Sequence, residues 1–459
     1  MSAATPNSAA ARDLAYCAHP YTNLATHQQT GPMVISRGEG IRVFDEAGNS
    51  YIEGLAGLWC TALGFSEPRL VEAAARGMRR LPFYHLFGGK APEPTIELAE
   101  RLIALSPVPM SKVLFANSGS ESNDTAIKLI WYYNNALGRP QKKKILSRQR
   151  AYHGVTVASA SLTGLAANHR DFDLPLPRIL HADCPHYWRY GLEGEDEAAF
   201  VHRLADNLEQ LIEREGPETI AAMFVEPVMG AGGVIVPPKG YFAAIQPILE
   251  RHDILLVADE VICGFGRTGN LWGSQTFDIR PDMITCAKAL SSGYIPISAL
   301  LISEPIWQAM VAESEQIRSF AHGYTYSGHP VAAEVALETL AIYAERDIVG
   351  HVRSVAPVLQ DGLRQLADHP LVGEARGVGL VGALELVSDK ATKAPFPPNM
   401  GVGARVARLA EAHGLIVRAL TGDVIAFAPL IIGAADIEEM LARVARALND
   451  TLDELSHRA

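Results

Sequence analysis

The chain has 459 residues, 48% hydrophobic and 20% charged, with 40 Lys and Arg against 51 Asp and Glu for a net charge of −11. That length supports a large core and two or three domains, and an acidic balance with no basic tract argues against nucleic-acid or acidic-membrane partners. Cys17, Cys60, Cys184, Cys263 and Cys286 lack paired metal spacing, the N-terminus has no apolar core, and Ala289 to Ser303 is too short to span a bilayer, so a cytoplasmic protein with reduced thiols is expected.

In chain order, residues up to about Pro20 are small and polar and are expected as a flexible or loosely docked lead-in. Ile41 to Phe44 and Tyr51-Ile52 flank Asp45-Glu46-Ala47-Gly48-Asn49, the pattern of a hairpin with turn residues in its loop. Gly54 to Gly64, around Trp59, predicts a packed loop, Arg69 to Arg80 a short helix, and Leu81 to Pro94 an ordered loop. From Thr95 strands and helices alternate. The strands fall at Val113 to Ala116, Lys144 to Ser147, Ile220 to Val225, Ile254 to Ala258, Met283 to Ala287 and Ile297 to Ile302. Helical spacing lies between several of them, as at Phe200, Leu204, Leu208, Leu211 and Ile212. The class is therefore α/β, with a mostly parallel sheet between helices and ligands at the strand C-termini. A smaller α+β unit is expected after Pro330. It opens with a helix from Val331 to Arg346, has strands within Gly373 to Glu385 and Leu415 to Leu420, and closes with a helix striped by Ile437, Met440, Leu441, Val444, Leu448, Leu452 and Leu455.

Two apolar strands run out at charged residues, one at Asp259 and one at Lys288. Pyridoxal phosphate needs a lysine amine to hold its aldehyde as a Schiff base and an acid to keep its pyridine nitrogen protonated. The competing reading of this pair alone is a buried structural ion pair. Between them, Gly264-Phe265-Gly266-Arg267-Thr268-Gly269 fits the GxGxxG spacing of a nicotinamide-dependent dehydrogenase. That fingerprint places its glycines directly between strand and helix, whereas here Asp259 to Cys263 intervene and no helical period follows, so the stretch reads as a glycine-rich loop.

Three further clusters bear on the choice. Asn117-Ser118-Gly119-Ser120-Glu121 leaves a strand and opens a helix with capping-box spacing, and a helix start softened by glycine can cradle a phosphate. Tyr152-His153-Gly154 offers a ring that can stack on a pyridine, and Glu226-Pro227 adds a carboxylate at the same sheet edge. Taken singly, these are a well-capped helix, a core tyrosine and a turn residue.

In this order the blocks resemble class III pyridoxal-phosphate aminotransferases, the fold type I omega-transaminases. The resemblance runs from about Tyr21 to the end through Asn117 to Asp124, Tyr152 to Gly154, Glu226 to Pro238, Leu255 to Gly269, Ala287 to Tyr294 and His322 to Pro330. It implies that Lys288 binds the cofactor and then shuttles a proton, that Asp259 pairs with the pyridinium nitrogen with Glu226 close by, and that Tyr152 and Val261 cover the two ring faces. Ser118, Gly119 and Ser120 would hold the phosphate, His153 would belong to the cofactor site, and Thr325 would reach the phosphate of the neighbouring subunit, which implies a homodimer and leaves a tetramer open. Trp59, Phe87, Tyr152 and Arg418 would line the substrate pocket, with Phe87 supplied by the partner and Arg418 gripping a substrate carboxylate. Gly88-Gly89 follows Phe87 where many relatives carry bulkier residues, and this leaves the pocket size open.

The implied domains are residues 1–20 as lead-in, 21–65 packing with the small domain, 66–330 binding the cofactor, and 331–459 as the small domain. The expected reaction moves an amino group from a primary amine or omega-amino acid to pyruvate. The alternatives are a 2-oxoglutarate-dependent aminotransferase, an aminomutase or decarboxylating enzyme of the same class, and the dehydrogenase of the glycine motif.

Overall fold

The computed structural model describes residues 7–457. Among the described residues, fifteen strands fall into three sheets. In chain order, β1 (Ile35–Glu39), β2 (Arg42–Asp45) and β3 (Ser50–Glu53) form an antiparallel meander. Next come β4 (Lys112–Ala116), β5 (Lys144–Arg148), β6 (Ile179–Ala182), β7 (Ile220–Val225), β8 (Leu255–Asp259), β9 (Met283–Cys286) and β10 (Ser298–Ile302). The last five are β11 (Val372–Val378), β12 (Val381–Leu386), β13 (Leu415–Ile416), β14 (Arg418–Leu420) and β15 (Val424–Phe427).

The central sheet has the order β4-β10-β9-β8-β7-β5-β6, and its pairs are parallel except where β10 runs against both of its neighbours. Strand β7 shows why this segment is a strand. All six of its residues are buried, and alternation sends Met223 and Val225 to one face while Ala222 and Phe224 go to the other. The helices Glu197–Glu215 and Tyr241–Arg251 cover the first face through Phe200, Leu204, Leu208, Phe242 and Ile245, and Gly119–Ala136 covers the second through Ile127 and Ile130. Because β4, β5, β7, β8 and β9 point the same way, their C-terminal ends share one edge. Strand β13 joins the N-terminal meander in parallel with β3, while β11, β12, β15 and β14 form the third sheet.

Some expectations need correction. Residues 1–6 of the predicted lead-in lie outside the described residues, but Ala9–Tyr16 is a helix, with the Ser8 hydroxyl accepting from the Ala11 amide at 3.1 Å. Gly54 to Gly64 contains a tight turn over Ala56–Trp59 in which Ala56, Gly57 and Trp59 have φ of 54°, 70° and 65°. Three strands escape the sequence reading: β1 is polar and mostly exposed, β6 is a four-residue edge strand, and β15 is equally short. The glycine-rich stretch from Gly264 to Gly269 is a buried succession of turns, as expected. Among the described residues no helix is long and apolar enough to cross a membrane.

Candidate active site

The shared strand edge opens into a cavity of about 690 Å³ lined by Trp59, Gly119, Ser120, Tyr152, His153, Glu226, Asp259, Val261, Lys288 and Arg418. Each reaches it from the end of an element. Asp259 is the last residue of β8, Glu226 follows β7, and Tyr152 and His153 lie in the loop after β5. Lys288 sits two residues beyond β9 with φ of 49°, a left-handed backbone that lysine adopts only where the surroundings enforce it.

Asp259 is the hub. Its Oδ2 lies 2.7 Å from His153 Nδ1 and accepts from Asn123 Nδ2 at 2.8 Å, while Oδ1 accepts from the Val261 amide at 3.1 Å. Asn123 also donates to the His153 carbonyl at 2.7 Å. The carboxylate is therefore fixed by three donors and only 4% exposed, which keeps its lone pairs oriented at the cavity floor. Glu226 accepts from the amides of Tyr152 and Gly230 at 3.0 and 3.1 Å, and burial pushes its carboxyl above the usual range. Glu260, the other half of the acidic pair, faces away. It accepts from the Gly273 and Ser274 amides, and burial raises it to about 7.

Lys288 keeps partial exposure through the cavity it lines, yet burial of its amine lowers its pKa, and Arg267 adds to this while Cys60, Asp259 and Glu226 oppose it. Arg267, from the glycine-rich loop, is fully buried. It donates to the carbonyls of Ile262 at 2.9 Å, Ala428 at 2.6 Å and Trp59 at 3.1 Å, tying that loop and the small-domain strand end to the cavity wall. Burial also raises the Tyr152 hydroxyl, with the neighbouring Tyr21 as the next cause.

Ser118 stands outside the cavity. It is exposed, and its hydroxyl caps the helix by accepting from the Glu121 amide at 3.2 Å, which leaves the first-turn residues Gly119 and Ser120 at the cavity. The approach here is tight. A Cβ on Gly119 would meet Val261 at 3.0 Å, and one on Gly154 would meet the Ser120 hydroxyl at 2.4 Å. Phe87 (49% exposed) and Thr325 also lie on the exposed surface, away from this chain's own cavity.

Sequence reading missed four contributors. Asn123 follows Gly119 by one helical turn, so the spacing of that block would have found it. Tyr21, Leu58 and Glu53 gave no comparable signal. Glu53, at the end of β3, accepts from the Gly57 amide and so holds the turn that carries Leu58 and Trp59. Burial pushes its carboxyl up to about 7. Between its ordinary value of 4.5 and 7, the folded chain holds a proton that the unfolded chain has released. Its contribution to stability is therefore full below that window and falls as pH rises through it. Glu53→Gln keeps an acceptor without a charge. Thermal unfolding across the window is expected to show less loss of stability with rising pH in this variant, by a few kcal/mol at about 1.4 kcal/mol per unit.

The fold, with a lysine and a hydrogen-bonded aspartate meeting at the C-terminal edge of a mostly parallel sheet, defines a pyridoxal-phosphate enzyme of fold type I. The sequence profile of the aminotransferase class-III family matches residues 24–448, and the chain belongs to that family. It is a transaminase, and its cofactor is pyridoxal phosphate. It is 50% identical over 421 residues to gamma aminobutyrate transaminase 3, chloroplastic, of Solanum lycopersicum, covering 92% of this chain and 81% of that one. Gamma-aminobutyrate transaminase 1, mitochondrial, of Oryza sativa subsp. japonica is 50% identical over 438 residues, covering 95% and 85%. Among solved structures, the omega transaminase from Pseudomonas jessenii in complex with PMP superposes with a TM-score of 0.96 at 54% identity, covering 98% of this chain and 99% of that one.

The residues present fit the cofactor. A buried acceptor stands ready for a protonated ring nitrogen, a lysine amine is held toward neutrality, and a helix start lies within reach for a phosphate. His153 Nε2 and Asn123 Oδ1 are buried beside the hub with no partner among the described residues.

Proposed function

We propose that this transaminase moves the amino group of a primary amine or omega-amino acid to pyruvate, giving an aldehyde or ketone and alanine. The observation that carries this reading is Arg418. Its guanidinium sits in the cavity wall 5.8 Å from the Tyr21 ring centroid, and among the described residues no carboxylate lies within ion-pair distance of it. The other lysine, aspartate and glutamate side chains lining the cavity are Lys288 and the carboxyl groups of Glu53, Glu226 and Asp259. A monocarboxylate acceptor finds its one free cation there, whereas the second carboxylate of 2-oxoglutarate meets acids. The same arginine suits the distal carboxylate of an omega-amino acid, a donor class also named in the gamma-aminobutyrate relatives.

When bound, pyridoxal phosphate supplies an aldehyde that exchanges amino groups and a ring that withdraws electrons from the substrate carbon. Asp259 would hold the proton on the ring nitrogen, and His153 and Asn123 fix its carboxylate for that task. Lys288, whose amine burial holds below its ordinary pKa, would hold the aldehyde and would then carry the proton at the substrate carbon. Tyr152 and Val261 would bound the two ring faces, and the first-turn amides of Gly119 and Ser120 would hold the phosphate. Trp59 and Leu58 wall the substrate side. The exposed cluster of Phe83, Tyr84, Phe87 and Tyr326, with Thr325 beside it, supports a homodimer in which Phe87 and Thr325 serve the partner's site.

With one amine donor held fixed, pyruvate is expected to exceed 2-oxoglutarate in kcat/KM by about tenfold or more. Equal use of both acceptors would sink the reading. Arg418→Leu is expected to raise KM for pyruvate by about 10- to 100-fold, since it removes a charge-assisted hydrogen-bond pair. The half-reaction of an amine without a carboxylate should hardly change in stopped-flow measurements.

A further inference from the structure

The N-terminal segment folds as a strap with two short helices, Ala9–Tyr16 and Leu24–Thr30, joined by residues 17–23. The joining piece brings Pro20 and Tyr21 into the lining of the active-site cavity, and the Tyr21 hydroxyl accepts from Asn168 Nδ2 at 2.7 Å. Neither helix has a buried residue, so apolar packing does little to hold this segment. The two ends of the joining piece are tied by one carboxylate. Asp13 Oδ1 lies 2.8 Å from His19 Nε2 and Asp13 Oδ2 lies 3.0 Å from His27 Nε2, with the two rings 4.1 Å apart.

We propose that Asp13, His19 and His27 form a divalent-metal site of the zinc type that pins the strap carrying Tyr21 over the substrate pocket. Two imidazole nitrogens and a carboxylate oxygen all lie within 4.8 Å of one another, the donor set and number that zinc takes with a fourth position left to water. The ligand side chains are 19% (Asp13), 32% (His19) and 10% (His27) exposed, which gives an ion a path in. Bonds of about 2.0–2.1 Å in tetrahedral array place ligand atoms about 3.4 Å apart, so the 2.8 and 3.0 Å contacts to Asp13 would each lengthen by about half an ångström on binding. On binding, each neutral imidazole gives its Nε2 lone pair to the ion and carries its one ring proton on Nδ1, so two metal–nitrogen bonds replace the contacts to Asp13 with no net change in ring protons.

Two other clusters of this kind are already occupied by a cation of the chain itself. Arg376 Nη1 reaches both Glu374 and Glu385 beside His186, and Arg251 pairs with Glu209 beside His252. Among the described residues no lysine or arginine pairs with Asp13, which sets this cluster apart.

The ion site stands on its own geometry, while its effect on Tyr21 rests on the cavity being the amine pocket, so the test reads metal and strap without reading activity. The full-length holoenzyme, freed of metal by chelation, is titrated with zinc in a calorimeter and its metal content is measured. One ion per chain more is expected in the wild type than in Asp13→Asn or His27→Ala, with cofactor absorbance confirming that the variants are folded. His19→Cys, which restores a zinc ligand but not an imidazole, is expected to keep the ion. Proteolysis within residues 17–23 is expected to slow about tenfold at zinc ten times its Kd. Equal zinc content in wild type and His27→Ala overturns the site. Zinc bound at these residues with unchanged strap proteolysis overturns the pinning.

Discussion

Replacing Lys288 by alanine is expected to lower the rate of amino transfer by about 10⁴-fold or more, as measured by single turnover with an amine donor, because one side chain supplies both the nucleophile and the mobile proton. The cofactor-free chain should meanwhile unfold at an equal or higher temperature. Burial holds the amine toward neutrality below its ordinary pKa of 10.5, where the unfolded chain would protonate it freely. A group whose positive form is disfavoured by folding costs stability throughout that range, and its removal relieves the cost. Loss of activity together with loss of fold would point instead to a structural lysine, the ion-pair reading that the sequence alone left open.

Asp259→Asn is expected to cost about 10²–10³ in both half-reactions, the scale for removing one preorganised electrostatic group from a closed site. The carboxylate now satisfies His153 Nδ1 and Asn123 Nδ2 through a single oxygen. An amide can present that oxygen, but it then brings no charge to the ring nitrogen. The variant should therefore stay folded and lose cofactor more readily on dialysis. Its defect should appear with carboxylate-free amines and with pyruvate alike, whereas that of Arg418→Leu should follow the substrate carboxylate. Coincident defects in the two variants would contradict the separate roles given to floor and mouth.

Much of this architecture is legible in the chain because burial on both faces writes continuous apolar strands. Ile220–Val225 has the same limits in sequence and structure, and Asp259 and Lys288 mark where such runs stop at the ligand edge. The exposed or short strands β1 and β6 carry no such pattern. Ser118 shows how a motif can mark a helix start without fixing the role of each atom in it: spacing identifies the turn, while the Ser118 hydroxyl caps the helix by accepting from the Glu121 amide. Tyr21, Leu58 and Glu53 were invisible because long-range folding, not local period, brings them together; Glu53 reaches the cavity only because β3 pairs with β13, next to Arg418. The GxGxxG match misleads for a related reason. Its arginine, unremarked in the motif, is the residue that ties Trp59 and Ala428 to the loop.

Borohydride reduction of the holoenzyme followed by peptide mass spectrometry locates the lysine that carries the cofactor. A single pyridoxyl adduct is expected on Lys288, absent when an excess of a terminal amine has first converted the cofactor and restored once pyruvate is added. An adduct on another lysine, or none at all, would contradict that placement.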